Sequence, residues 1–293
     1  MNWKVVFREY SRDITSLLAL AALSVALLLA IFASVIAVQD PYDLTALNLM
    51  DSRLPPGSIG ENGLYHLLGT DDQGRDVASA ILYGLRISIG VAVASGAIGI
   101  VLGTAVGILA AYLGGWADAV LMRIVDIQLS FPAILNAMIL LAVFGTGLLN
   151  IIIALVAVQW AYYARTARSA ALVELGREYV EAAKSLSFGP MRIMFRHILP
   201  NCLGPLLVIA AVELANAIAL EASLSFLGTG LRVTEPSLGL LIANGYSLML
   251  SGHYWLTIYP GLALLILVAS ANLIADGLRR AFISRSAVAV DHG

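Results

Sequence analysis

The stretch EYVEAAKSLSFGPMRIMFRHILPN, residues 178–201, gathers Glu178, Glu181, Lys184, Arg192, Arg196 and His197 around a Gly-Pro break. Carboxylates, cations and an imidazole so close together could do acid–base work, hold a metal or present a docking surface. The first two uses need a convergent constellation. The chain has no H-E-x-x-H, G-x-S-x-G or paired metal-ligand motif. Its four histidines, His66, His197, His253 and His292, all fall in expected loops or tails. No catalytic residue, metal site or cofactor is therefore expected. Locally, YVEAAKSL is a good helix former, SFGP breaks it, and MRIMFRHIL reads as a second short helix. There Ile193, Phe195 and Ile198 alternate with Arg192, Arg196 and His197. Pro200 suits the first turn of a following helix. Such a bent pair offers a small, shaped surface of mixed apolar and basic character. A solvated loop with a membrane-surface helix fits the same pattern.

The rest of the chain decides what positions this stretch. Hydrophobic residues make up 60% of it and charged residues 12%, with a mean hydropathy of +0.88. Soluble domains carry about 25% charged residues, so the composition places the chain in a lipid bilayer. The single cysteine, Cys202, excludes an internal disulfide framework and reads as a small apolar packing residue. The only lysines are Lys4 and Lys184, and neither ends a G-x-x-x-x-G-K-[ST] run. The chain has no P-loop and is expected to hydrolyse no ATP by itself.

A spanning helix needs about 20 apolar residues. The first such run is 17–38, a retained anchor too long for the 7–15-residue core of a signal peptide. The second, 87–113, has Gly99, Gly103 and Gly107 along one face, which lets another helix approach closely. Residues 127–164 are too long for one pass, and FGTG (residues 144–147) is the expected turn between two short spans. Runs 200–228 and 254–275 complete an all-α, polytopic set of six. The expected organisation is a cytoplasmic N-terminus at 1–16, a first span at 17–38, an external loop at 39–86, a five-helix core at 87–280 with a cytoplasmic loop at 165–199, and a cytoplasmic tail at 281–293. This orientation puts 13 of the 17 basic residues inside and 4 outside, as the positive-inside rule requires.

The external loop is acidic, with Asp40, Asp43, Asp51, Glu61, Asp71, Asp72 and Asp76, and a short helix is expected from about Asp76. GTDDQGRD (residues 69–76) lacks the spacing and terminal Glu of a calcium loop. In the fifth span Glu213, Asn216 and Glu221 stand out, because a carboxylate in hydrocarbon costs about 2.5–3.5 kcal/mol and normally faces a bundle interior or watery cavity. At about 100° per residue, Asn216 lies about 60° to one side of Glu213 and Glu221 about 80° to the other. One broad face lining a translocation path is the expectation; hydrogen bonding to a neighbouring helix is the alternative.

The 178–201 stretch resembles the EAA loop of the membrane subunits of ABC importers, E-A-A-x3-G-x9-I-x-L-P. Glu181, Ala182, Ala183, Leu199 and Pro200 match it. Ser187 stands where the family usually has glycine, with Gly189 two residues later, and His197 replaces the isoleucine as in the peptide-importer branch. The segments HLLGTDDQGRDVASAILYGLRISI, GGWADAVLMRIVDIQLSFP, EASLSFLGTG and NLIADGLRRAF are similar to the same branch, the permeases of dipeptide, oligopeptide and nickel importers. The resemblance covers about residues 15–280. It implies a type I ABC importer permease fold and a bacterial inner-membrane subunit forming half of a pore. The implied partners are a second homologous permease, two cytoplasmic ATP-binding subunits, an extracytoplasmic solute-binding protein and the bilayer, with no nucleic acid. Glu181, Ala182, Ala183, Ser187, Gly189, Arg192, Arg196, His197, Leu199 and Pro200 would form the surface that meets an ATPase, with Ala182 and Ala183 small enough to permit close helix contact. Di- or oligopeptides are the leading substrate class; nickel or another small solute is the alternative. A secondary transporter or channel fits less well, because most spans carry no ionisable residue, and a membrane enzyme fits least.

Overall fold

Apolar runs in a bilayer have no water to bond their peptide groups, so they fold as helices that satisfy those groups internally. The computed structural model describes residues 8, 10–11, 13–43, 48–61, 63–232 and 234–290, the stretch 283–290 by its backbone alone. Lys4, Arg12 and His292, on which part of the expected termini rested, lie outside the described residues. The main helices are α1 (Ile14–Ile31), α2 (Val77–Leu113), α3 (Gly115–Ser130), α4 (Ala133–Phe144), α5 (Leu148–Leu175), α6 (Glu178–Ser185), α7 (Pro190–Ile193), α8 (Leu199–Phe226), α9 (Leu238–Tyr246) and α10 (Trp255–Val290). The described residues include five helices long and apolar enough to cross a membrane, and six spans if the bent pair α3–α4 counts as one.

That pair corrects the expected third span. Residues 127–144 do not form a straight helix. α3 and α4 meet at 91° across Phe131 and Pro132. Proline cannot donate to a helix and pushes the residue before it into an extended conformation, and Phe131 has φ −98° and ψ 146°. α4 is only 12 residues long, about 18 Å, short of the roughly 30 Å of hydrocarbon. The FGTG turn is where it was expected, with Gly145 at φ +83° and Gly147 at φ +140°.

Other boundaries also shift. α2 begins at Val77, where a short helix from about Asp76 was expected, and runs unbroken through the second span for 37 residues. Asp76 caps it: its Oδ2 accepts from the Ser79 N–H at 2.7 Å. α5 continues eleven residues into the expected cytoplasmic loop. The last helix continues to Val290, so most of the expected tail is helical.

α2 and α5 form the most extensive helix pair of the bundle. Their glycine face explains it: a Cβ on Gly103 would lie 2.3 Å from the Trp160 carbonyl, and one on Gly107 would lie 2.3 Å from that of Ala164. α8 packs against α2, α5, α9 and α10. α1 is peripheral and buries only small residues, Ser16, Ala19, Ala26 and Ala30. It is fastened to α10 by an Asp13–Arg280 ion pair. Thr15, Ser16 and Arg280 together hold the Asp13 carboxyl well below the ordinary carboxylate range.

Candidate functional site

The bent pair has its own small core. Val180 and Ala183 of α6 join Ile193, Met194, Ile198, Cys202, Ala167, Ala171, Ile108 and Ala111 in one apolar cluster. α6 is thereby pinned to the end of α5 and to the start of α8, and residues four apart share a face. Glu181, Ala182, Lys184 and Leu186 are left exposed on its other side. Ala182 and Ala183 were expected to act alike; the structure separates them, with Ala183 only 4% exposed.

Ser187, not Gly189, makes the reversal. Ala183, Lys184, Ser187 and Phe188 close a Schellman turn: Phe188 N–H donates to the Ala183 carbonyl at 3.1 Å, and Ser187 N–H to that of Lys184 at 2.9 Å. Its left-handed residue is Ser187 at φ +56°, a conformation glycine adopts freely and other residues at a cost of about 1–2 kcal/mol. Ser187 thus holds a conformation that a glycine would adopt without strain. Gly189 is at φ −62° and only starts the next helix, with Pro190 at its first turn.

Pro200 does not open a separate span either. α7, a wide π-type turn over Met194–Ile198, and α8 run on as one helix from Pro190 to Phe226. Pro200 has no N–H for the carbonyl of Arg196, and widened turns form where that ladder is interrupted. Around this turn the side chains interlock. Asn201 Nδ2 donates to the His197 carbonyl at 2.8 Å and to the Tyr179 hydroxyl at 3.1 Å. The Tyr179 hydroxyl donates to Glu174 Oε2 at 2.5 Å. Burial, then this carboxylate, push the Tyr179 phenol up to about 12, so it remains a donor at physiological pH. The His197 ring stacks on Phe188, centroids 6.0 Å apart, and the Arg192 guanidinium lies 4.5 Å from the Phe188 ring centre. Arg196 is exposed and Leu199 half-buried. Sequence reasoning missed Glu174, Tyr179, Phe188 and Asn201; the asparagine ending HILPN was the available signal.

In the bundle interior the structure divides the three polar residues of α8. Glu213, 3% exposed, accepts from Asn216 Nδ2 at 3.1 Å. Both line a cavity of about 500 Å³ with Gln159 and Tyr162 of α5, and with Ala133 and Ile134 at the α3–α4 bend. Gln159 Nε2 donates to the Glu213 carbonyl at 3.1 Å, while its buried Oε1 has no partner. Glu221 does not line this cavity. It is wholly buried, takes a 2.7 Å bond from Ser88 of α2 and a 2.8 Å bond from Ser225 one turn on, and ties α8 to α2.

The acidic loop is a cap on α2. β1 (Ser58–Ile59) and β2 (Tyr65–His66) form a small antiparallel hairpin. His66 Nδ1 lies 3.0 Å from Asp76 Oδ1, both side chains 1% exposed. Asp71 Oδ1 accepts from the N–H groups of Gln73 and Arg75 at 2.9 and 2.8 Å, and burial raises its pKa above the ordinary value. A Cβ on Gly74 would lie 2.1 Å from the Asn48 carbonyl. GTDDQGRD is therefore a close-packed turn in which the Asp71 and Asp76 carboxylates serve backbone donors and Asp72 stays exposed. Among the described residues no group of three or more His, Cys, Asp or Glu side chains could hold a metal ion.

Residues 99–288 match the family described as binding-protein-dependent transport system inner membrane component. The chain is 40% identical over 273 residues to the dipeptide transport system permease protein DppC of Escherichia coli K12, covering 93% of this chain and 89% of that one. It is 36% identical to the DppC of Haemophilus influenzae, covering 91% and 89%. It is also 36% identical to the glutathione transport system permease protein GsiD of Pectobacterium atrosepticum, covering 95% and 90%. Among solved structures, the inward-facing MetNI methionine ABC transporter superposes with a TM-score of 0.56 at 23% identity, over 69% of this chain and 96% of that one. At that identity the likeness speaks to fold.

Proposed function

Because this chain belongs to the binding-protein-dependent transport system inner membrane components and is a multi-pass permease subunit of an ABC importer, we propose that it forms half of a pore for di- or oligopeptides, driven through residues 178–201. A second homologous permease supplies the other half. Two cytoplasmic ATP-binding subunits supply hydrolysis, and an extracytoplasmic binding protein delivers the solute. Both termini and the bent pair face the cytoplasm. The basic-residue asymmetry supports that orientation, as does the Asp13–Arg280 contact between the start of α1 and the last helix.

The observation that carries this reading is the two-sided character of α6. Its buried side, Val180 and Ala183, fixes it to three long helices, and its exposed side holds Glu181, Ala182 and Lys184 for a partner. A partner shifts a two-state protein only by binding the states with different free energy. A short rigid helix continuous with the bundle gives an ATPase such a handle.

Glu213, Asn216 and Gln159 supply acceptors on the path, suited to the ammonium group of a peptide. Peptides are favoured over nickel by the names of the relatives and by the lack of histidine in this cavity. The test is ATP-driven uptake of a labelled dipeptide into proteoliposomes holding the assembled importer. Glu181→Lys should lower uptake about tenfold or more while the binding protein still captures peptide. Normal uptake by that variant, or uptake of nickel and not peptide, contradicts the reading.

A further inference from the structure

Two ion pairs join α3 to α5. Asp118 and Asp126, eight residues apart, share one face of α3, and Arg165 and Arg168 share one face of α5. Arg168 grips Asp118 with both prongs of its guanidinium, at 2.5 and 2.6 Å, and Arg165 meets Asp126 at 2.5 Å. Beneath them Val125 packs with Ala161 and Ala164, all wholly buried. Gln128 Nε2 adds a 2.9 Å bond to the Ala157 carbonyl. Across the 91° bend, Asn136 Nδ2 donates to the Gln128 carbonyl at 3.2 Å. The next residues back along α4, Ala133 and Ile134, are cavity wall opposite Glu213 and Asn216.

We infer that Asp118 and Asp126, with Arg168 and Arg165, are positioning residues for transport: they clamp the α3–α4 elbow to α5, so that a shift of the bent pair moves Ala133 and Ile134 at the polar cavity. The inference rests on the reading of residues 178–201 as the surface driven by the ATPase. The geometry has each joint it needs. α6 is held to the end of α5 by the Tyr179–Glu174 bond and the Val180–Ala183 core. α5 is one uninterrupted helix from there past Arg168 and Arg165 to Gln159. A planar guanidinium bonded twice to one carboxylate fixes orientation as well as distance, so α3 must turn with α5 as well as follow it. The elbow then carries that rotation to Ile134, because Pro132 leaves only one short hinge and Asn136 braces it.

The test uses the assembled importer in a Cys202→Ala background, with a single thiol from Ile134→Cys and a small water-soluble maleimide. Labelling should differ at least about fivefold between ATP-free and ATP-trapped states, a typical coupling strength. Asp118→Arg should abolish that difference and lower the solute moved per ATP hydrolysed. The swapped pair Asp118→Arg with Arg168→Asp should restore both, because the contact between the two side chains, and not either one alone, sets the coupling. If Asp118→Arg does not assemble, Asp126→Arg and its swap with Arg165→Asp serve instead. State-dependent labelling that persists in the single reversals, a swap that restores nothing, or equal labelling in the parent overturns the inference. A cross-link from Ala182→Cys to an ATPase subunit separates the two claims. If it forms and labelling does not respond to the clamp, the clamp is wrong. If it never forms, the docking surface is wrong.

Discussion

Asp76 and Glu181 both lie at helix starts, at opposite ends of the bundle. Asp76 is 1% exposed and fully engaged by the Ser79 N–H, the Ser79 hydroxyl and His66. Glu181 is exposed and makes no side-chain hydrogen bond among the described residues. The cap around Asp76 buries Asp51, Arg75 and Asp76 and leaves Asp40, Asp43, Glu61 and Asp72 on its outer surface. The bent pair around Glu181 turns small apolar residues inward and keeps its charges outside. A carboxylate buried and bonded within its own segment has little left for a partner; one left exposed on a segment pinned by its apolar side and by the Tyr179–Glu174 bond remains on offer.

The largest expected effect tests the closed end. Asp76→Ala removes a helix cap and leaves a buried His66 nitrogen without its partner, so thermal unfolding of the detergent-solubilised importer should show a loss of about 2–4 kcal/mol. Glu181→Ala should leave stability unchanged and lower uptake. Equal effects on stability would break the comparison. Next comes the contrast within α6. Ala183→Trp overfills the small core and should cost about 1–3 kcal/mol, whereas Ala182→Trp should unfold nothing and block transport.

The same logic applies inside the bundle. Glu221→Leu strips the buried Ser88 hydroxyl of its acceptor and should cost about 1–3 kcal/mol. Glu213→Leu should cost less, because the Asn216 amide that it leaves behind is only partly buried and faces the cavity, yet uptake should fall about tenfold. Stable, normal transport by Glu213→Leu would remove that residue from the path. The smallest effect concerns Ser187. Glycine there relieves a left-handed strain and should stabilise by about 1 kcal/mol, while Ser187→Val should destabilise the loop; melting curves of the two variants would show opposite shifts.

How far the sequence carries depends on the range of the interaction. The helices, the FGTG turn and the helix–break–helix shape of residues 178–201 follow from local composition and were legible. The close approach of α2 and α5 was half legible: Gly103 and Gly107 announced a packing face but not its partner. The break at Phe131–Pro132 was written in the sequence and overridden by the apolar character of 127–144, although proline's missing N–H acts whatever the hydropathy. The Ser88–Glu221 contact and the Arg168–Asp118 clamp join residues 133 and 50 positions apart. Only packing reveals them. Ser187 is the reverse case: SFGP announced a break, but that the serine rather than Gly189 takes the left-handed conformation is visible only in the backbone.

The central claim is that this permease subunit is driven by a partner ATPase through the exposed side of α6. It is tested most directly by cysteine cross-linking in the assembled importer, with Ala182→Cys and Ala183→Cys compared in a Cys202→Ala background. The account predicts that the thiol at 182 cross-links to an ATP-binding subunit, with a yield that changes when ATP is trapped, and that the buried one at 183 does not. Cross-linking from neither position in any nucleotide state, or from 183 alone, would contradict it.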